Sequence, residues 1–376
     1  DLHSFPTRRS SDLHIAPGWN ATEVATGVTL PSGTFMREDI NGDNRSDVVF
    51  SSSATSGSGV WRYMLGTEAG FGPAMNTTNS NANFMSAQFM EWNGDGMMDV
   101  LVPCASGTTW CLMLANGSGF GPLTNTGVPV QGQTLATDVN CDGLDDLARL
   151  DTATVPNRLF TRVRSGTGFA AETLAFTAAP SIQTYPDFGP TFQIRARSVK
   201  RKLDFNGDGC GDFVTNTQDN DPEPGTPTLY SLAVFLGTSG GLQHHGWIGE
   251  QTNQISVVAA GDFNGDGQTD ILRSQGTSAL AAYLGSGGVF ASGLQGPPIA
   301  GFADLSLYVA DYDGDGLDDI VMPQVSTKTW HVSRSTGNGF ATLASLGYSD
   351  GAARYPMDLN AIWRSEERRV GKECRS

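Results

Sequence analysis

The chain has 376 residues, with 39 acidic against 23 basic side chains, a formal net charge of −16, and 47 glycines. That acidic balance argues against a nucleic-acid partner, and no apolar run approaches the ~20 residues a membrane-spanning helix needs. Abundant Gly, scarce Lys, and short runs of Val, Thr, Phe and Leu between turns make an all-β composition.

The two ends are set aside first. Ser4 to Ser11 reads Ser-Phe-Pro-Thr-Arg-Arg-Ser-Ser, and Ser365 to Glu373 reads Ser-Glu-Glu-Arg-Arg-Val-Gly-Lys-Glu. One piece of DNA read in opposite orientations can encode both, so residues 1–13 and 364–376 resemble translated adapter sequence and are excluded from fold reasoning, Cys374 with them. Residues 14–363 are left as one β domain, expected to be part of a longer protein. Removing the 7 basic and 5 acidic residues of the ends leaves 16 basic against 34 acidic.

Along the remaining chain one unit returns six times, with Asp-rich loops beginning at Asp39, Glu91, Asp138, Asp204, Asp262 and Asp311. The intervals are 52, 47, 66, 58 and 49 residues, and a further loop is expected at Asp358-Leu359-Asn360. An apolar run leads into each loop, as in Ile255 to Gly261, and a second leaves it, as in Asp270-Ile271-Leu272. A third run carries a large apolar residue: Trp61, Trp110, Leu159, Leu232, Leu280 and Trp330. Ten residues later comes a large residue preceded by Gly: Gly70-Phe71, Gly119-Phe120, Gly168-Phe169, Gly241-Leu242, Gly339-Phe340 and the looser Gly288-Val289-Phe290; Gly18-Trp19 precedes the first loop. A fourth run follows. Four short strands in ~50 residues is the size of one β-propeller blade, and one blade cannot bury both faces alone, so several must stack.

Two stretches break the rhythm. Phe176 to Lys202 ends in the chain's one basic cluster (Arg195, Arg197, Lys200, Arg201, Lys202), and Thr215 to Pro227 reads as a polar surface loop. Insertions of this kind in repeat folds often carry binding.

The loops share one spacing of oxygen-bearing side chains, at positions 1, 3, 5 and 9. The sets are Asp39, Asn41, Asp43 and Asp47; Glu91, Asn93, Asp95 and Asp99; Asp138, Asn140, Asp142 and Asp146; Asp204, Asn206, Asp208 and Asp212; Asp262, Asn264, Asp266 and Asp270; and Asp311, Asp313, Asp315 and Asp319. The carbonyls at position 7, of Arg45, Met97, Leu144, Cys210, Gln268 and Leu317, are expected to add one oxygen each. Nineteen of the 34 interior acids occupy these positions, so the net charge is largely a signature of the loops. Carboxylates gathered round one point repel unless a cation lies between them, and a hard, oxygen-loving ion, Ca²⁺, is expected. An EF-hand needs a Glu at position 12, where these loops have Phe50, Val102, Arg149, Thr215, Arg273 and Met322. Asp/Asn/Gly turns that need no metal are the alternative, since the same residues suit turns.

Cys104 and Cys111 lie between two apolar runs that could pair as a hairpin, which leaves a disulfide and two free thiols both open. Cys141 and Cys210 fall inside Asp-rich loops and are assigned no chemistry. His244 and His245, adjacent on a strand, point to opposite faces and are read as surface residues. Asn20 and Asn76 fit glycosylation acceptors. No nucleophile elbow, phosphate loop or zinc motif occurs, and the chain is read as not an enzyme.

The repeated Asp-Phe-Asn-Gly-Asp-Gly-x-x-Asp, with Gly-Phe-Gly-Pro at Gly70 to Pro73 and Gly119 to Pro122, resembles the FG-GAP/VCBS repeat family. The resemblance implies an all-β, seven-bladed-type propeller with several structural Ca²⁺ ions, as in integrin α-subunit heads and bacterial surface or secreted proteins. It implies a partner that is an extracellular protein or glycan, with adhesion or recognition as the function. The form Trp330 to Phe340 also resembles propeller segments of Rhs and toxin-complex proteins, for which this chain would be one part of a larger assembly.

Overall fold

The computed structural model describes residues 35–349 apart from short loop segments and the longer stretches 185–202 and 220–228. The two end segments, Gly18-Trp19, Asn20, the basic cluster Arg195–Lys202 and the loop expected at Asp358 lie outside the described residues.

Strand pairing follows the period-2 burial of the apolar runs. In the third strand of the first unit, Trp61, Tyr63 and Met64 are buried while Val60 and Arg62 are only partly so. The second strand of the second unit, Asp99–Pro103, is buried along its whole length, as expected of a strand covered on both faces. The strands form six main sheets in chain order, with every pairing antiparallel, and two two-stranded ribbons, Gly66–Thr67 with Gly70–Phe71 and Arg164–Ser165 with Gly168–Phe169. The first sheet is Phe35–Glu38, Asp47–Ser51, Val60–Met64 and Met75–Ser80; the second is Gln88–Met90, Asp99–Pro103, Thr109–Met113 and Thr124–Pro129. The third is Gln133–Thr137, Asp146–Asp151, Arg158–Arg162 and Thr173–Thr177; the fourth is Ile182–Thr184, Phe213–Asp219, Leu229–Leu236 and Gln243–Gln251. The fifth is Val257–Gly261, Asp270–Gln275, Ala279–Ser286 and Gln295–Pro298, with Val289–Ala291 as an additional short strand. The sixth is Tyr308–Ala310, Asp319–Gln324, Thr329–Ser333 and Ala344–Ser349. Among the described residues there is no helix, and so none long and apolar enough to cross a membrane.

Cores form between consecutive sheets. One cluster joins Val49, Trp61 and Tyr63 of the first sheet to Phe89, Val100 and Met113 of the second. The next joins Leu101, Trp110 and Leu112 to Ala136 and Leu147 of the third. Others join the third to the fourth through Leu159 and Phe235, the fourth to the fifth through Val234 and Ile271, and the fifth to the sixth through Leu272 and Ile320. All six large residues of the third strands, Trp61, Trp110, Leu159, Leu232, Leu280 and Trp330, are buried.

The fourth sheet corrects two readings. Thr215–Asp219 is not loop but part of a strand paired on both sides, with Ile182–Thr184 and with Leu229–Leu236. Its polar side chains misled: Thr215 and Thr217 are buried, and Thr217 Oγ1 is held by the Ser231 carbonyl at 3.0 Å. The stretch from Phe176 also begins as strand, in Thr173–Thr177 and Ile182–Thr184. On the same side of Phe213–Asp219, Leu203 pairs with Asp212 as an isolated bridge just before the fourth loop.

Cys104 and Cys111 form a disulfide across the turn that joins their two strands, with Cα atoms 5.0 Å apart. His244 is half-buried against the rings of Phe176, Phe235 and Trp247, and burial pushes its pKa down, while His245 is exposed.

Candidate metal centre: the Asp-rich loops

Each loop is an eight-residue connection closed by the same pair, the residue before position 1 opposite the Asp at position 9. The pairs are Glu38 with Asp47, Met90 with Asp99, Thr137 with Asp146, Leu203 with Asp212, Gly261 with Asp270, and Ala310 with Asp319. Constant register gives all six loops one geometry, and the glycines serve it. Gly314 and Gly316, at positions 4 and 6, have φ of 78° and 91°, the left-handed region that lets the backbone fold inward round the acids.

That geometry divides the four expected ligand positions into two kinds. The position-9 aspartates open the second strands and point into the protein; Asp47, Asp99, Asp146, Asp270 and Asp319 have no exposed surface, and Asp212 is nearly as buried. Each accepts two backbone amides. One oxygen takes the N–H of position 2: Ile40 at 2.9 Å, Trp92 at 3.2 Å, Val139 at 3.1 Å, Phe205 at 2.6 Å, Phe263 at 2.8 Å and Tyr312 at 2.9 Å. The other takes an N–H from the end of the third strand or just beyond it, of Gly66, Ala115, Arg164, Gly237, Gly285 or Ser335. Burial raises the pKa of all six to about 7, with the backbone amides opposing it and the nearby loop carboxylates reinforcing it.

Positions 1, 3 and 5 form a second, mostly more exposed group, held by the loop's own amides. The position-1 carboxylate accepts N–H groups from across the loop: Gly42 on Asp39, Gly94 on Glu91, Asp142 and Gly143 on Asp138, Gly207 and Gly209 on Asp204, Gly265 and Gly267 on Asp262, and Gly314 and Gly316 on Asp311. At position 3 the oxygens of Asn41, Asn93, Asn140, Asn206 and Asn264 accept the N–H of position 5. At position 5 the carboxylates of Asp43, Asp95, Asp142, Asp208, Asp266 and Asp315 accept the N–H of position 7, from Arg45, Met97, Leu144, Cys210, Gln268 and Leu317. These nested turns preorganise the oxygens before any ion arrives.

The sixth loop gathers three acids. One carboxylate oxygen each from Asp311, Asp313 and Asp315 lies within 4.8 Å of the others. Calcium–oxygen bonds of about 2.3–2.6 Å allow one ion to reach all three, so the donor set fits a hard divalent cation. Asp313 is also salt-bridged to Arg334 at 3.0 Å. In four of the other loops the position-3 Asn donates its side-chain N–H to the position-5 carboxylate, at 2.8 Å for Asn93 and 2.9 Å for Asn206. Their acidic charge there is two carboxylates rather than three.

Adjacent loops touch. The position-8 N–H of each loop donates to the position-1 carbonyl of the loop before it: Met98 to Asp39, Asp145 to Glu91, Gly211 to Asp138, Thr269 to Asp204 and Asp318 to Asp262, at 2.6–2.8 Å. Where position 8 has a polar side chain the bond is returned, since Asp145 Oδ2, Thr269 Oγ1 and Asp318 Oδ2 accept the N–H of Glu91, Asp204 and Asp262. The ring that follows each Gly turn also reaches back one sheet: Phe169 meets Trp92, Phe290 meets Phe205 and Phe340 meets Phe263, each edge-on. Position 8, which is Ser46, Met98, Asp145, Gly211, Thr269 and Asp318 in turn, and these ring partners carry no shared residue type in the sequence that would mark them.

Residues 39–102, 204–273 and 262–322 each match the family model described as an FG-GAP-like repeat. This chain carries FG-GAP repeats. The sheets are therefore blades of a β-propeller, and the loop of each FG-GAP repeat is the turn between its first two strands. Loop three, with Cys141 where its neighbours have Gly, lies outside the matched ranges. Comparison with curated proteins gives no match. Among solved structures, the chain is similar to one in the Photorhabdus luminescens Tc holotoxin pore, at 15% identity and a TM-score of 0.43, covering 83% of this chain and 15% of that one.

Proposed function

We propose that this FG-GAP propeller is a non-enzymatic, calcium-stabilised recognition module that works outside the cell and binds protein or carbohydrate. The observation that carries the calcium part is the three-carboxylate group of Asp311, Asp313 and Asp315, whose oxygens sit at the separation one Ca²⁺ can span. Asp311, Asp313 and Asp315 would hold the ion in loop six. In the other loops the position-1 and position-5 acids would act with the Asn oxygen and the position-7 carbonyl. The position-9 aspartates, each oxygen already taking one amide, would contribute from their remaining lone pairs. An ion there supplies positive charge that offsets mutual repulsion, so its role is to hold the turn between two strands.

The extracellular part is supported by the two disulfides, Cys104–Cys111 and Cys141–Cys210, which form and persist in oxidising compartments. Two measurements test the proposal separately. A ligand that binds only the folded form stabilises it by mass action, so the melting temperature is expected to rise in Ca²⁺ relative to EDTA, and identical melts would remove calcium from the reading. Glycan and protein arrays probed with and without chelator test recognition, and an absence of any ligand on both would remove that part alone.

A further inference from the structure

At four of the five junctions between consecutive loops, the position-7 side chain lies over the position-4 glycine of the loop before. A β-carbon on Gly42 would stand 3.3 Å from Met97 Cγ, one on Gly94 3.6 Å from Leu144 Cδ2, one on Gly207 3.3 Å from Gln268 Cγ, and one on Gly265 2.7 Å from Leu317 Cδ2. The third-to-fourth junction has cysteines at these two positions, Cys141 and Cys210, and they are joined in a disulfide with Cα atoms 4.7 Å apart. Cys141 holds the same left-handed backbone as the glycines it replaces, with φ of 66°. It is the one non-glycine among the described residues to do so.

This junction keeps backbone ties, including the Thr238 N–H to the Val139 carbonyl at 3.1 Å, but lacks a side-chain tie at position 8. Its position 8 is Gly211, so the side-chain acceptor that Asp145, Thr269 and Asp318 provide elsewhere is missing, and a β-carbon there would meet Thr137 Oγ1 and the Asp138 backbone. The first junction lacks a polar position 8 too, at Met98, but there the Tyr63 hydroxyl donates to the Ser118 carbonyl at 2.7 Å.

We propose that Cys141–Cys210 is a redox-reversible lock between the third and fourth blades, a covalent replacement for the side-chain contact and hydrogen bond used at the other junctions. Cys210 is buried but Cys141 is partly exposed, which gives a thiolate a sulfur to attack. Formation of the bond releases two protons and two electrons, the electrons passing to a disulfide-bearing oxidant by thiol exchange. A small dithiol reverses the step, is itself oxidised to a disulfide, and leaves two thiols. The lock closes a loop 69 residues apart in sequence, whereas Cys104–Cys111 spans 7, so it constrains the unfolded chain far more.

The test is thermal unfolding with and without dithiothreitol, in EDTA throughout so that calcium plays no part. Cys104→Ala/Cys111→Ala is expected to keep a reductant-dependent fall in melting temperature, on the order of 5–10 °C. Cys141→Gly/Cys210→Leu restores the residue types of the other junctions and is expected to lose that sensitivity. Alkylation of the native protein without reductant, followed by mass spectrometry, gives a reading that needs no variant to fold, and is expected to leave Cys141 and Cys210 unlabelled. The proposal is overturned if those two cysteines are alkylated without reductant, if the first variant no longer responds to reductant, or if the second responds as fully as the native protein.

Discussion

At the scale of single residues, the Asp at position 9 does the most for the fold. Its two oxygens accept two buried amides, and leaving a buried N–H without an acceptor costs about 1–3 kcal/mol. Asp270→Ala should therefore destabilise by about 2–5 kcal/mol in urea unfolding, because the Phe263 and Gly285 amides both lose their partner. Asp266→Asn, on the exposed side of the same loop, should change stability little when calcium is absent. The raised pKa values add a pH dependence. In the folded chain these carboxyls hold a proton up to about pH 7, while unfolded they release it near the ordinary 3.8. Folding thus takes up protons between those values, and stability in EDTA should fall as pH rises from about 4 to about 7. Urea midpoints at pH 5 and pH 8 check this; a higher midpoint at pH 8 in chelator would contradict it. The sequence spacing grouped positions 1, 3, 5 and 9 as equivalent because it counts oxygen atoms and not burial. The difference was nonetheless written in the neighbours: Asp47 opens Asp-Val-Val-Phe and Asp319 opens Asp-Ile-Val-Met, so each begins a strand that must be covered.

At the scale of elements, the four-strand unit was legible because its markers recur in phase. Apolar run, Asp loop, apolar run, large residue and Gly turn each became the expected strand or connection in five of the six sheets; in the fourth, the residues leading into the loop lie outside the described residues up to Leu203. What a one-dimensional pattern could not assign was ownership of a side chain. Phe120 belongs by sequence to the second unit, yet its ring packs edge-on against Trp61 of the first, with centroids 5.8 Å apart, and also against Phe89. Phe120→Ala should accordingly cost about 3–5 kcal/mol, and hydrogen exchange should quicken in the first two sheets before the others. Uniform quickening across all sheets would show that the loss is not local to that interface. The misread strand Phe213–Asp219 has a related cause. Thr215, Thr217 and Asn216 look like loop by composition, and only pairing with Leu229–Leu236 makes them strand. Propensity in a sheet reflects its partners as much as its residues.

At the scale of the whole molecule, stability in a stack of repeats resides in the junctions, since each sheet touches mainly its neighbours. The junctions here are built from one chain of backbone bonds, position 8 to the previous position 1, with a junction-specific addition at each place. Between the fifth and sixth sheets the addition is Asp318, buried, whose side chain takes the Asp262 amide at 2.6 Å while its own amide donates back to the Asp262 carbonyl. Removing that carboxylate leaves the Asp262 N–H without this acceptor, at a cost of about 1–3 kcal/mol. The consequence should be more than a lower midpoint. If coupling is by nearest neighbours, weakening one junction separates the unfolding of what lies on its two sides. Asp318→Ala is therefore expected to broaden or split the calorimetric transition, with the sixth sheet melting first and the disulfide-linked third and fourth sheets unaffected. A single transition, shifted but as sharp as that of the native protein, would mean that the sheets unfold as one unit and that the junctions are not where cooperativity is set.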